Sequence, residues 1–231
     1  FIPPYDMTDG YESCLDFAND SEKNVTVNFP LYNGVAELEI GLCSEAECAE
    51  YNPYGSRKPI VYYGSSITQG GCASRPGMAY QAIIARRLGC NYVNLGFSGS
   101  AKGEEEMAKY IAGLDMSIFV MDYDHNAPDA QHLLDTHERF FKIIREKKPD
   151  LPIVIVSQIN RNMYEADKRR EIIYTTYKNA AEGGDKNVYF VDGLKICPDA
   201  DYSVDNTHPT DYGFTFMAKA IGDALYMILN G

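Results

Sequence analysis

A serine in a glycine-bounded turn is the first group in this chain whose type and position suggest chemistry. Ser66 lies in residues 59–71, PIVYYGSSITQGG, shortly after four apolar residues. The apolar run predicts a buried strand, and Gly64 with the later glycines predicts a tight turn at its carboxyl end. A serine hydroxyl exposed at such a turn can be a nucleophile, provided that a base takes its proton as it attacks.

The candidate base and its partner lie near the other end of the chain, in residues 205–213, DNTHPTDYG. The imidazole of His208 can accept the serine proton. Asp205, three residues earlier, can accept the other ring N–H and fix the tautomer. Taken alone, such a segment is also typical of a loop whose aspartate caps a helix. Its occurrence together with the serine turn is what favours catalysis.

Two further stretches offer donors for the negative charge that develops on a carbonyl oxygen during acyl transfer. Residues 94–100, NLGFSGS, offer the backbone N–H of Gly99, and residues 122–128, DYDHNAP, contain the side-chain amide of Asn126. Together with the backbone N–H of Ser66, these groups can form an oxyanion hole. The glycines also fit a plain turn from a strand into a loop.

Other interpretations of these patterns are weaker. The glycines of residues 94–100 do not have the dinucleotide spacing G-x-G-x-x-G, and residues 64–71 lack the G-K-[ST] ending of a phosphate loop. A zinc site is not predicted either, because the chain has no C-x-x-C motif and no partnering histidine pair. His132 and His137, with Asp122 and Asp124, could suggest a metal site, but the two histidines lie on a predicted helix, where histidines are more often exposed or packed. We therefore expect no metal and no cofactor.

The motifs occur in the order Ser, Gly, Asn, Asp and His, and over residues 58–231 this order resembles that of the SGNH hydrolases, also called GDSL-type lipases or esterases. The resemblance implies roles for the residues already singled out. The catalytic triad would be Ser66, Asp205 and His208. The oxyanion hole would be formed by Ser66, Gly99 and Asn126.

The chain departs from the family pattern at two places. Gly-Ser-Ser at positions 64–66 stands where the family has Gly-Asp-Ser, which removes a carboxylate and should change local hydrogen bonding more than chemistry. Residues 124–127, DHNA, stand where the family has Gly-x-Asn-Asp. The bulky ionisable pair beside Asn126 could narrow the pocket or contact a polar substrate, and a surface or supporting role is favoured for His125.

The elements that must position these groups alternate between strands and helices. We predict strands at residues 60–63, 91–96, 116–123, 151–157 and 188–191, and helices at residues 78–88, 104–112, 129–147, 167–181 and 211–229. Apolar strands separated by helices indicate a parallel sheet covered on both faces. We therefore predict an α/β fold, a flavodoxin-like three-layer α/β/α sandwich with a five-stranded parallel sheet and its site at the carboxyl ends of the strands.

Residues 1–57 differ from the rest, and we expect an N-terminal β segment with a linker there and a catalytic domain over residues 58–231. Period-two alternation in residues 24–29 and 35–42 predicts two antiparallel strands, and residues 52–59 read as the linker. A lone hairpin is marginal in water and must dock on something. Some bacterial members of the resembled family carry a β-sandwich ahead of the catalytic domain, and these strands resemble the end of one.

The composition of the chain limits the kinds of partner that we expect it to bind. The net charge is -12 over 231 residues, which argues against nucleic acid or an anionic membrane, since both bind clustered lysine and arginine. No apolar run approaches the ~20 residues of a membrane span. The first residue is Phe and the sequence shows no leader. We expect an exported protein, periplasmic or secreted, whose leader is absent from this sequence. A cytoplasmic location and the oligomeric state stay open.

Six cysteines are dispersed along the chain, and only Cys43 and Cys48 lie close enough in sequence to suggest a pair. We expect the others to be buried free thiols, since an unpaired cysteine packs like a small apolar residue.

The expected reaction is hydrolysis of a short acyl ester. The sequence has no lid-like apolar insertion that could form a groove for a long acyl chain. We therefore expect short acyl esters, above all acetyl esters, to be the substrates. The resemblance to bacterial members suggests O-acetylated carbohydrate as the substrate. Two alternatives stay open: a lysophospholipase or thioesterase, and a carbohydrate-binding protein that kept the fold without activity.

Overall fold

The computed structural model describes residues 12–50, 54 and 57–231. The elements it contains, in chain order, are β1 (Ile60–Gly64), α1 (Ser66–Gln69), α2 (Tyr80–Leu88), β2 (Tyr92–Gly96), α3 (Glu105–Gly113), β3 (Ile118–Asp122), α4 (Ala130–Lys147), β4 (Ile153–Val156), α5 (Ala166–Glu182), β5 (Val188–Val191) and α6 (Asp211–Asn230), with short 3-10 turns between some of them. The strands and helices predicted after residue 58 are confirmed to within about two residues at each end. The short helix α1 was not predicted.

The five strands form one parallel sheet in the order β2-β1-β3-β4-β5. This is the flavodoxin-like order, so the predicted fold class is confirmed. Strand β1 is second in this order and lies between β2 and β3. Gly64 at the end of β1 is in register with Gly96 of β2 and Asp122 of β3. The loops after these three strands therefore begin side by side, at one edge of the sheet.

Alternate residues of each strand supply two separate cores. In β1, Val61 and Tyr63 belong to the core under α3, α4 and α5, whereas Ile60 and Tyr62 belong to the core under α2 and α6. Every residue of β1 and β3 is buried. Burial of each large apolar side chain contributes about 1.5–3 kcal/mol, which makes the central strands a rigid support for the loops at their ends.

The antiparallel β segment predicted near the N-terminus is not formed. Residues 24–29 and 35–42 are irregular, and the structure places no strand within residues 12–50. The alternate apolar side chains have no sheet to complete or core to enter, and Val25 and Ile40 remain 63% and 65% exposed. Two strands alone are marginally stable in water, so the alternation is not sufficient here to form a hairpin.

One short part of this segment does contact the α/β fold. Leu31 lies against Gly70 at the end of α1, and its backbone carbonyl accepts a hydrogen bond from the Gln69 side chain at 3.0 Å. In the predicted linker, residues 51–53 and 55–56 lie outside the described residues.

All six cysteines are free thiols. Cys90 and Cys197 are buried as expected, whereas Cys14 is exposed and Cys72 is half-buried. Cys43 and Cys48, the pair that the sequence left open, are exposed and unbridged. In the part of the chain that the structure describes, no helix has the length and apolar character needed to cross a membrane.

Candidate active site

Ser66 lies at the first position of α1, two residues past the end of β1. Its side chain, expected to be exposed, is largely buried. Ser65 caps this helix, because its hydroxyl accepts the backbone N–H of Ile67 at 3.1 Å. The turn requires glycine at position 64, where an added Cβ would stand 2.1 Å from the Thr68 hydroxyl oxygen. The serine that replaces the family's aspartate thus still serves local hydrogen bonding. It holds the turn that presents the neighbouring hydroxyl.

The structure brings the three residues expected to form a triad together in one hydrogen-bonded chain. Ser66 Oγ lies 2.8 Å from His208 Nε2, although 142 positions separate them in sequence. On the far side of the ring, His208 Nδ1 lies 2.7 Å from Asp205 Oδ2. A carboxylate can only accept, so Nδ1 carries the proton and Nε2 presents a lone pair to the serine hydroxyl.

The loop that carries the acid and the base is built around the aspartate. Asp205 Oδ1 accepts the backbone N–H groups of Thr207 at 3.0 Å and His208 at 2.7 Å, and Asn206 between them adopts a positive φ of 65°. Asparagine tolerates this conformation better than most residues. Partial burial opposes ionisation of Asp205, but the hydrogen bonds from His208 and Thr207 outweigh it and lower its pKa to about 2. The carboxylate is therefore charged at any pH at which the protein would work.

The expected oxyanion donors come from the loops after β2 and β3, which are tied to the nucleophile turn. The backbone N–H of Phe97 donates to the Gly64 carbonyl at 2.8 Å, and Asn126 Nδ2 donates to the Phe97 carbonyl, also at 2.8 Å. Gly99 has a φ of 70°, which favours glycine. Among the described residues, the backbone N–H groups of Ser66 and Gly99 have no acceptor. These donors, with the second N–H of the Asn126 amide, are available to an incoming oxygen.

A buried ion pair holds the turn that carries Asn126. Arg169 of α5 contacts the Asp124 carboxylate at 2.9 Å, and both side chains are almost completely buried. The guanidinium also donates to the backbone carbonyls of Asp124 and Ala127, on either side of Asn126. Burial raises the pKa of Asp124, and Arg169 and the backbone N–H of Gln158 oppose this. The Asp124 carboxylate, a possible substrate contact from the sequence, is instead bound to the Arg169 guanidinium in the interior.

His125 supports the same region from within. Its Nε2 accepts the backbone N–H of Ile159 at 3.3 Å, which links the turn to the loop after β4. Burial, followed by the positive charges of Arg169 and His208, lowers the pKa of His125 to about 3. The ring is therefore neutral. Of the two roles favoured from sequence, the structure matches the supporting one and not the surface one.

A second buried polar group lies behind the nucleophile helix. Asp122, the last residue of β3, accepts hydrogen bonds from the hydroxyls of Thr68 at 3.2 Å and Tyr80 at 3.0 Å. Burial raises the pKa of Asp122 to about 7. From the sequence, Asp122 was considered only for a metal, and Arg169 was missed. An aspartate that ends an otherwise apolar strand is a signal for the first, whereas nothing in the pattern of α5 marks Arg169 as buried.

The histidines considered for a metal have other partners. His137 is buried and its Nδ1 lies 2.8 Å from the Thr176 hydroxyl, while His132 Nε2 lies 2.7 Å from the Lys102 carbonyl.

A hydroxyl, an imidazole and a carboxylate in this order, beside unused N–H donors, can perform nucleophilic acyl transfer. The flavodoxin-like sheet and this arrangement together are those of the α/β/α serine hydrolases.

Comparison with known proteins gives the family within that class. The model of the GDSL-like lipase/acylhydrolase family matches residues 57–226. The chain belongs to this family, and the resemblance drawn from the motifs is confirmed. No curated protein sequence matches the chain.

Solved structures share the fold. A GDSL-lipase-like protein from Bacteroides ovatus is 36% identical with a TM-score of 0.79, over 87% of this chain and 62% of that one. A salicylyl acyltransferase from a tetracycline biosynthetic pathway is 22% identical with a TM-score of 0.65, over 76% and 56%. A two-domain esterase active on acetylated mannans is 17% identical with a TM-score of 0.59, over 76% and 50%. The chain spans less than two thirds of the length of each of these proteins.

Proposed function

We propose that this protein is a serine esterase that removes short acyl groups, acetyl first, from carbohydrate esters through an acyl-enzyme on Ser66. The observation that carries the proposal is the hydrogen-bonded chain from Ser66 Oγ through His208 to Asp205, with contacts of 2.8 and 2.7 Å. In this proposal residues 58–231 form the catalytic domain. The family match over residues 57–226 supports that division.

In the first half of the reaction, Ser66 Oγ attacks the ester carbonyl carbon as its proton passes to His208 Nε2. The carbonyl oxygen becomes negatively charged and is stabilised by the N–H groups of Ser66, Gly99 and Asn126. Asp205 stabilises the imidazolium that forms and keeps its orientation. The C–O bond to the alcohol then breaks, and the proton on Nε2 goes to the departing alcohol oxygen.

In the second half, a water molecule attacks the acyl carbon of the acyl-enzyme. Its proton passes to His208 Nε2, the same donors stabilise the second oxyanion, and the carboxylic acid leaves as Ser66 Oγ takes the proton back. The contacts of Ser66 Oγ with His208 Nε2 and of His208 Nδ1 with Asp205 support these proton transfers. The reaction needs no metal or cofactor to balance.

The choice of substrate rests on a structural neighbour and on the charge of the chain. The mannan-active esterase that shares the fold acts on acetylated carbohydrate. The acidic chain, with net charge -12, suits a neutral substrate better than a phosphate-bearing one. Because polysaccharides do not cross membranes unaided, we place the protein outside the cytoplasm.

The test is an activity screen with matched variants. Wild-type protein, Ser66→Ala and Ser65→Ala are assayed with p-nitrophenyl acetate, butyrate and decanoate, and with acetylated manno-oligosaccharide. Wild type should prefer acetate and deacetylate the sugar. Ser66→Ala should be inactive but folded, whereas Ser65→Ala should stay active and lose ~1 kcal/mol of stability with its helix cap.

Each other outcome contradicts a defined part of the proposal. A preference for decanoate would indicate a lipid esterase, the first alternative. Full activity of Ser66→Ala would show that Ser66 is not the nucleophile. Binding of the sugar without turnover of any ester would indicate the non-catalytic alternative.

A further inference from the structure

The irregular N-terminal segment reaches the candidate active site through a single aromatic side chain. The hydroxyl of Tyr32 donates to the backbone carbonyl of Ser66 at 3.3 Å and also makes a hydrogen bond with the Ser98 side chain. Burial, opposed by the Ser98 bond, raises the pKa of Tyr32. The phenol therefore stays protonated. One side chain from outside the α/β fold thus contacts both the nucleophile turn and the loop after β2.

The segment is held at this position by contacts on both sides of Gln69. The amide nitrogen of Gln69 donates to the Leu31 carbonyl at 3.0 Å, and its amide oxygen accepts the Ser98 backbone N–H at 2.9 Å. Leu31 also packs so closely on Gly70 that an added Cβ would stand 2.4 Å from its Cδ1. The contact with Tyr32 is therefore a docked arrangement and not a chance approach of a loose chain.

The position of Tyr32 relative to His208 identifies the part of the substrate that it meets. A Cβ added at Gly71 would stand 2.7 Å from the Tyr32 hydroxyl and 3.2 Å from His208 Cδ2. Cδ2 is the ring carbon bonded to Nε2, the atom that returns a proton to the departing alcohol. Both groups therefore pack around Gly71, and the tyrosine hydroxyl lies beside the edge of the imidazole that protonates the departing alcohol.

From this geometry we propose that Tyr32 is a specificity-determining residue that lines the alcohol side of the site and selects substrates whose alcohol carries further hydroxyls. Because its O–H is donated to the Ser66 carbonyl, the phenol oxygen can accept a hydrogen bond from such a hydroxyl. The residue is 37% exposed, and its ring offers an apolar face to the carbon skeleton. The inference rests on the proposed esterase activity and deepens it. It assigns part of substrate recognition to residues before the α/β fold.

The experiment compares acetyl esters that share an acyl group and differ in the alcohol. Glycerol monoacetate and acetylated manno-oligosaccharide carry free hydroxyls, whereas butyl acetate carries none. Tyr32→Phe removes the hydroxyl and keeps the ring. Tyr226→Phe, at an exposed position near the end of α6, is the matched control.

For Tyr32→Phe we expect KM for the two hydroxylated esters to rise about 3- to 10-fold with kcat nearly unchanged, the effect of losing one neutral hydrogen bond. Values for butyl acetate should not change, and Tyr226→Phe should match wild type throughout. An equal loss with all three esters would overturn the inference, because Tyr32 would then only position Ser66. No change with any ester would overturn it as well.

The two proposals fail differently in this experiment. If wild type cleaves none of the esters, the proposed function fails and the inference falls with it. If wild type cleaves butyl acetate and glycerol monoacetate but not the acetylated sugar, only the carbohydrate substrate is wrong. In that case the effect of Tyr32→Phe on KM for glycerol monoacetate, compared with its effect on KM for butyl acetate, still decides the role of Tyr32.

Discussion

Asp122 is a buried group whose protonation should couple the stability of this protein to pH. It lies behind the nucleophile helix, 3% exposed, where it accepts hydrogen bonds from Thr68 and Tyr80. Burial raises its pKa from 3.8 to about 7, against the lowering effect of these two bonds. Asp122→Asn keeps the shape of the side chain and an acceptor oxygen but removes the ionisation.

The magnitude follows from the difference in pKa between the folded and unfolded chain. Below pH ~4 the carboxyl of Asp122 is protonated in both states and its effect on stability is fully favourable. Between pH ~4 and ~7 the unfolded chain ionises and the folded chain does not, so stability falls by up to ~1.4 kcal/mol for each pH unit. The total loss is ~4 kcal/mol, and above pH ~7 it stays constant.

The assay is urea unfolding of wild type and Asp122→Asn between pH ~4 and ~8. The free energy of unfolding of the variant, minus that of wild type, should grow by ~4 kcal/mol over this range. Taking the difference cancels the contributions of other titrating groups. Asp150→Asn, at an exposed aspartate, is the matched control for the substitution itself. A constant difference for Asp122→Asn would refute the buried, protonated carboxyl.

Two further predictions concern the groups around the proposed oxyanion hole. Asn126→Ala should lower kcat by about 10²- to 10³-fold with little change in KM, as expected for one lost oxyanion donor, and steady-state kinetics with an acetyl ester would show it; a rise in KM alone would make Asn126 a binding residue. Arg169→Met should cost about 3–5 kcal/mol by leaving Asp124 unpaired, and urea unfolding measures this; a cost below ~1 kcal/mol would contradict the buried pair.

The fold was predictable because the strands and longer helices carry their own signals. Apolar runs such as β4 and amphipathic patterns such as α4 are long enough to be assigned one element at a time. The helix α1 has only four residues, which is too short for a period of 3.6 to be visible. The alternation in residues 24–42 was misleading, since a strand needs a neighbouring strand and the sequence does not say whether one is present.

The candidate site was predictable only where a motif marks it. Ser66 and His208 lie in segments with recognisable spacing, and the parallel sheet brings such segments to one edge. Arg169 and Tyr32 reach the site through contacts between distant parts of the chain. Their neighbours in sequence carry no sign of this, because an arginine on a helix and a tyrosine in a polar loop are usually exposed.

Covalent labelling tests the central claim most directly. Wild-type protein is treated with a fluorophosphonate, and tandem mass spectrometry assigns the modified residue and distinguishes Ser66 from Ser65. We predict a single adduct on Ser66, formed in step with the loss of esterase activity, slowed in His208→Ala and absent in Ser66→Ala. An adduct on Ser65, or inactivation with Ser66 unmodified, would contradict the proposed nucleophile.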